Sequence, residues 1–320
     1  PLRGLGTPDV TCPGVVTTGA ADRRRVAEAF GAYVPEDRRS STTDPGPRVR
    51  GRAAVLFADV SGFTALTVRL VAALGRRRGA EEVARHLNRL YDALVAEVAR
   101  GDGSVICFPG DDGRVAARAA SCMQAAIEPF ADVELDEPAG ERVKLSLKVS
   151  VTSGPVSRYV VGDPGVQLID VVAGETVARL ERLNSAAGKG EVVVGPNVMR
   201  SLGPRVRAER RSTEDGHGGF RLALPLPGGP NVGPGDQVGP GFEAGRLAPW
   251  VLPTVRRRLE EGQGEFLTEL RPVAALFMGF EGIDFDGDPE AGDKLDDLVR
   301  WVQGEVGRLG GSVVQLTTGD

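Results

Sequence analysis

The segment Ala53-Ala54-Val55-Leu56-Phe57-Ala58-Asp59-Val60-Ser61-Gly62-Phe63-Thr64 narrows the possible folds of this chain more than any other. An uninterrupted apolar run of this length fits a strand buried on both faces. It delivers a carboxylate to the strand's end. A small Ser-Gly turn follows, and then a helix-like segment from Leu66 to Leu74. An Asp at such a tip is poorly placed for packing and well placed to hold a hard cation. Magnesium takes one or two protein carboxylates together with substrate phosphates. The segment therefore points to metal-assisted chemistry on a phosphate compound. The plainer alternative is that Asp59 only caps the turn.

Composition sets outer bounds. With 320 residues the chain is long enough for two domains of ordinary size, and an apolar content of 41% supports real cores. A net charge of −5 does not favour bulk nucleic-acid binding. Cys12, Cys107 and Cys122, at unrelated spacings, make neither a zinc site nor a disulfide framework, so a reducing cytoplasm is the expected setting. No run of about 18 apolar residues is present, so no membrane span is expected. The N-terminus lacks an initiator Met and an apolar signal region, and the C-terminus carries no signature, so the chain reads as a fragment.

Residues 1–50 read as a flexible N-terminal segment with one short helix from Ala20 to Gly31. A strand is expected over 53–59. A helix is expected over 80–100, with Val83, Leu87, Leu90, Leu94 and Val98 on one stripe. Ser104–Phe108 reads as a short strand ending in the turn Pro109-Gly110-Asp111-Asp112-Gly113. Arg114–Phe130 reads as a helix. Lys144–Ser153 reads as a half-exposed strand, because Leu145, Leu147, Val149 and Val151 alternate with polar residues. Thr176–Asn184 is expected helical and Glu191–Val194 extended. Residues 51–224 thus form a first domain, and 225–247 a Pro/Gly-rich linker.

Past the linker, residues 248–320 repeat the opening of that domain. The run from Leu295 to Val314 lies over the run from Leu87 to Ile106 at a constant offset of 208, matching Leu298 to Leu90, Glu305 to Glu97, Arg308 to Arg100 and Gly311-Ser312 to Gly103-Ser104. Both copies then reach a Gly-Asp pair, Gly110-Asp111 and Gly319-Asp320. Upstream, Val273–Phe277 repeats Ala54–Phe57, and Ala248-Pro249-Trp250-Val251 resembles Ala32-Tyr33-Val34-Pro35. Where the first copy has Asp59, the second has Gly279. One domain and the strand–helix–strand opening of a second, degenerate copy are expected.

Together these features resemble the class III nucleotidyl cyclases, and within them the tandem, soluble-adenylyl-cyclase-like group. The features are Phe57-Ala58-Asp59-Val60-Ser61-Gly62-Phe63-Thr64, the helix after it, Gly103-Ser104-Val105-Ile106 running to a Gly-Asp turn, and the degenerate second copy. The resemblance covers about residues 50–200 and again 248–320. It implies an α/β (α+β), ferredoxin-like unit around a central, mostly antiparallel sheet. Two such units pack head to tail with the active site between them, the second supplied in cis or by a homodimer partner. It implies two divalent ions, Mg²⁺ or Mn²⁺, on two Asp carboxylates, with ATP converted to cyclic AMP and pyrophosphate. Two ions stabilise the attacking and leaving oxygens together, and a glycine beside the second Asp lets backbone approach phosphate.

By this resemblance, Asp59 and the carbonyl of Val60 hold metal, and Ser61, Gly62, Phe63 and Thr64 bring backbone N–H groups to the phosphates at a helix start. The second carboxylate has two candidates, because the chain is a strand shorter here than the family. Either Gly110-Asp111 is the metal turn, or Gly101-Asp102 is. A strand must bring the chain back from the 80–100 helix before a carboxylate can meet Asp59. Only Asp111 follows such a strand, and the repeat points the same way. Arg179 sits where soluble cyclases have an arginine tied to bicarbonate sensing; a surface pair with Glu175 or Glu181 is the plainer role. Lys148 likewise reads either as an anion contact or as a solvated strand residue. The Lys that reads adenine, and the Asn and Arg for ribose and transition state, belong to the second unit, after its Gly-Asp turn. The alternative from another class is a catalytically degenerate module that binds nucleotide or a partner domain. His86 and His217 make no site, and no Ser-His-Asp or Cys-His arrangement has supporting context.

Overall fold

A computed structural model describes residues 20–31, 33–34, 38–39, 48–101, 103, 113–134, 142–213, 216, 218–226, 244–262 and 273–318. The expected strand 104–108, the candidates Asp102, Gly110 and Asp111, and most of the linker lie outside the described residues.

Strand β1 (Arg48–Ser61) is longer at both ends than its apolar run. It pairs antiparallel over its whole length with β4 (Ser146–Val161), from Arg48↔Tyr159 to Ser61↔Ser146. Strand β4 is the spine of the sheet. It also takes β5 (Ile169–Ala173) antiparallel and β6 (Val192–Val194) parallel. Strands β8 (Gly219–Leu222) and β7 (Ala208–Arg211) complete six strands in the order β1-β4-β6-β8-β7, with β5 beside β4. Only the β4–β6 pairing is parallel, so the expected mostly antiparallel α/β unit is what forms. A separate ribbon joins β2 (Asp132–Glu134) to β3 (Arg142–Lys144).

The helices are α1 (Ala20–Gly31), α2 (Phe63–Arg100), α3 (Gly113–Ala126), α4 (Glu175–Ala186), α5 (Pro196–Leu202), α6 (Ala244–Leu247), α7 (Pro253–Glu260) and α8 (Ala291–Arg308). Helix α2 is two helices joined at Gly75, whose φ of 79° breaks the spiral. A Cβ on Gly79 would lie 2.7 Å from the Val71 Cα, so the two halves approach backbone to backbone. Helix α3 stops short of Phe130, and a 3₁₀ turn over Glu128–Phe130 follows, with Pro129 unable to continue the α-helical ladder. Helices α2 and α3 cover one face of the sheet. Leu56, Ala58 and Val60 of β1 and Leu147, Val149 and Val151 of β4 meet Leu66, Leu90, Leu94 and Val98 there.

Strand β4 corrects the expectation of a half-exposed strand. Ser150 and Thr152, its polar face, are fully buried because α4 lies over them. The Thr176 hydroxyl donates to the Pro155 carbonyl at 2.6 Å, and a Cβ on Gly154 would meet the Thr176 Oγ1 at 2.5 Å. Small hydroxyl residues fit under a helix as readily as they face water, so alternation alone could not tell the two apart.

Residues 273–318 depart further from expectation. Helix α8 forms and docks Ala291, Leu295 and Val299 on Tyr159, Val161, Val171 and Ala173 of the β4–β5 hairpin. Asp296 Oδ1 accepts the Gly162 N–H at 2.7 Å, Gln303 accepts the Asp163 N–H at 2.8 Å, and Gln303 donates to the Gln167 carbonyl at 2.7 Å. The strands expected over 273–277 and 312–314 do not form; a strand exists only in a ladder, and neither segment has one among the described residues. Val273, Leu276 and Phe277 are 81–94% exposed. A third small core joins Phe30 and Val34 to Leu247, Val251 and Leu259, so the two segments that the repeat relates lie against each other. Beside it, the buried Asp170 carboxylate takes Arg38 at 2.8 Å and Arg158 at 2.5 Å.

Candidate functional site

Asp59 lies near the end of β1 between Ala58 and Val60, whose side chains enter the core under α2 and α3. Strand alternation turns Asp59 to the opposite face. Its side chain is 42% exposed, and Phe57 on the same face is 48% exposed. Directly across the ladder stands Lys148. Its Nζ lies 3.2 Å from Asp59 Oδ2 and donates to the Asn184 carbonyl, in the last turn of α4, at 3.4 Å.

The chain passes from strand to helix through one residue. Gly62 has φ 106°, and a Cβ there would lie 2.4 Å from the Lys144 carbonyl oxygen, so conformation and space both require glycine. The Ser61 hydroxyl is bonded to that of Ser146 at 2.7 Å and fixes the register at the strand's end. Phe63 packs on the core, and Thr64 is exposed. No side chain caps α2, and its first turn holds no acidic residue. The N–H groups of that turn are therefore available to an anion.

Arg179 is half-buried on α4, with its Nε 3.8 Å from the Glu175 carboxylate, which also takes Arg182 at 2.6 Å. The pair along the helix with Glu175, one of its two expected roles, is present. Among the described residues no group of three or more His, Cys, Asp or Glu side chains could hold a metal ion. Magnesium does not require one, since it keeps waters and substrate oxygens as ligands. Asp59 fits the protein's share of such a site: a half-exposed carboxylate oxygen that already carries a cation, the Lys148 ammonium. The Lys148–Asp59 contact is what sequence reasoning missed. Its signal is the cross-strand register, which exists only once β1 and β4 are paired.

This sheet, with its carboxylate-tipped strand and glycine turn into a helix, defines a nucleotidyl cyclase catalytic domain. The chain belongs to the Adenylate and Guanylate cyclase catalytic domain family, which it matches over residues 48–218, just over half of its length. Adenylate cyclase type 10 of Mus musculus is 26% identical over 155 residues, and that of Oryctolagus cuniculus 27% over 158. Each match covers 46% of this chain and 10% of the relative, so the matched stretch is about a tenth of the length of these curated proteins. Among solved structures, the adenylyl cyclase CyaB from P. aeruginosa is similar at 15% identity and a TM-score of 0.45, over 56% of this chain and 96% of that one. The guanylate cyclase domain of RhGC from Catenaria anguillulae, in complex with GTP, gives 15% and 0.43, over 55% and 98%. No helix among the described residues is long and apolar enough to cross a membrane.

Proposed function

We propose that this chain carries the metal-binding half of an enzyme that converts ATP to 3′,5′-cyclic AMP and pyrophosphate. Asp59 is a metal ligand, and Asp111 is its partner. One observation carries the reading: a half-exposed carboxylate with a cation on it stands four residues before an uncapped helix start. Bound Mg²⁺ or Mn²⁺ would supply charge neutralisation at the triphosphate and at the attacking and leaving oxygens. The chain's own groups hold and orient. Asp59 and the Val60 carbonyl keep the ion, the first N–H groups of α2 meet phosphate, and Gly62, packed on the Lys144 carbonyl, sets the turn that aims them. ATP is preferred to GTP in this reading because the matched curated relatives are adenylate cyclases. The partner is a second cyclase-type unit. The packing of α8 on the β4–β5 hairpin supports this reading, in which α2 presents Leu87, Tyr91 and Val95 to an equivalent hairpin of that unit.

The test is turnover of ATP and of GTP with Mn²⁺ by the protein in which this chain is joined to its complete second cyclase-type unit, with cyclic nucleotide and pyrophosphate separated by chromatography. The expected result is cyclic AMP from ATP, reduced by about two orders of magnitude or more in Asp59→Ala, the scale on which preorganised charge stabilisation acts. Nucleotide binding without product in that wild-type protein would replace the enzyme with a degenerate binding module, and product from GTP alone would overturn the choice of ATP.

A further inference from the structure

The same site holds a feature that metal chemistry does not require. The Lys148 ammonium is not loose in solvent. Two oxygens converge on it, Asp59 Oδ2 at 3.2 Å and the Asn184 carbonyl at 3.4 Å, and its side chain is only 26% exposed. The Asn184 carbonyl lies in the last turn of α4, where the helix end favours positive charge. The antiparallel register sets Lys148 squarely opposite Asp59, and the Ser61–Ser146 bond pins that register two residues on. The ammonium is therefore delivered to the carboxylate by the sheet itself. A divalent ion on Asp59 would stand within a few ångströms of Nζ, and like charges at that distance repel.

We infer that Lys148 is a tethered competitor for the cation position on Asp59, which keeps divalent-ion affinity low until the ammonium is drawn elsewhere. The inference rests on the reading of Asp59 as a metal ligand. It concerns how tightly the ion is taken, not whether it is taken. Removing the ammonium while keeping the stem, as in Lys148→Met, removes the competitor. Partly exposed ion pairs of this kind are weak, so the gain expected is about threefold to fivefold in Mn²⁺ affinity.

The experiment is Mn²⁺ titration of the whole chain without nucleotide, followed by the electron paramagnetic resonance signal of free Mn²⁺. The chains are wild type, Asp59→Asn, Lys148→Met and Lys148→Gln, each checked for native circular dichroism. The expected result is loss of the site in Asp59→Asn and tighter uptake in both Lys148 variants. Their advantage should shrink in roughly 0.5 M salt, where the Debye length is a few ångströms. A purely structural lysine would give no such salt-dependent gain. Unchanged or weaker uptake in whichever Lys148 variant folds, with Asp59→Asn still silent, overturns the competitor and leaves the metal ligand standing. Uptake by Asp59→Asn equal to wild type, or no uptake by any chain, removes the metal reading and the competitor with it.

Discussion

Helices α2 and α8 carry a similar apolar pattern and bury adjacent stripes of it. In α2 the stripe Leu90, Leu94 and Val98 is buried in the first copy's own core, while Tyr91 and Val95 are 50% and 41% exposed. In α8 the residues at the same offset reverse this. Val299 and Gln303, the counterparts of Tyr91 and Val95, are each 4% exposed against the β4–β5 hairpin, whereas Leu298, Val302 and Val306 are only half-buried. A helix with two adjacent apolar stripes has two partners, and the neighbours present decide which stripe is covered. In α2 the sheet beside it covers Leu90, Leu94 and Val98 and leaves Tyr91 and Val95 open. In α8 the β4–β5 hairpin covers Leu295, Val299 and Gln303 and leaves Leu298, Val302 and Val306 half open.

The sharpest way to break this comparison is to place the same charge at both equivalent positions. Val299→Glu puts a carboxylate into the α8–hairpin core, where no partner awaits it, and should cost about 3–5 kcal/mol or detach α8 altogether. Tyr91→Glu, its counterpart, should change the stability of the chain by no more than about 0.5 kcal/mol, yet lower cyclic AMP formation if a second unit docks there. Urea unfolding midpoints for the pair, set beside turnover, decide it; similar losses of stability would mean that the two stripes do not differ. Smaller in effect is Asp296→Ala, which strips the Gly162 N–H of its acceptor and should cost about 1–2 kcal/mol. Its measurable mark is faster amide exchange at Gly162, with little change in the core strands.

The part of the molecule most legible in the sequence is the one that builds the site. An apolar run, an Asp, a Ser-Gly turn and a helix after it are all local signals, and β1, the turn at Gly62 and α2 follow them, but β1 is not buried on both faces as its apolar run suggested: Phe57 is 48% exposed on the face it shares with Asp59. Helix α1 also falls on its expected residues, Ala20–Gly31. What was not legible depends on partners distant in sequence. Whether Ser150 and Thr152 face water or α4 is set by packing from the far side of the sheet. The arginine-rich edge strand β7 carries no apolar alternation, since an edge can be charged without penalty. Residues 273–277 and 312–314 resemble expected strand segments upstream in sequence, but a ladder needs a neighbour. Lys148 looked like a solvated residue because its contact with Asp59 spans two strands brought together only in the fold.

The mildest difference between the two helices is one of proton binding. One residue ahead of the matched run, His86 of α2 stands where α8 has Lys294, whose partner Asp288 lies just before the helix. Burial, reinforced by Arg89 and Arg85 and opposed by Glu82, holds the half-buried His86 below the usual imidazole value of 6.5. In α8 the hydrogen bond between Lys294 and Asp288 raises the ammonium and holds the carboxyl below its usual range. Between its folded value and 6.5, His86 is more protonated in the unfolded chain, so stability falls as pH drops through that window. The contribution of Asp288 is present above the ordinary carboxylate range and is lost only as pH falls through its lowered value. Just below pH 6.5, then, the α2 position gives stability a pH slope and the α8 position does not. Melting temperatures at half-unit steps should show a flatter slope there in His86→Gln than in wild type. In Lys294→Gln the slope should stay as it is, and any change should be confined to pH values near and below about 4. Equal slopes in wild type and His86→Gln would remove the imidazole from the account and leave the contrast between the helices one of packing alone.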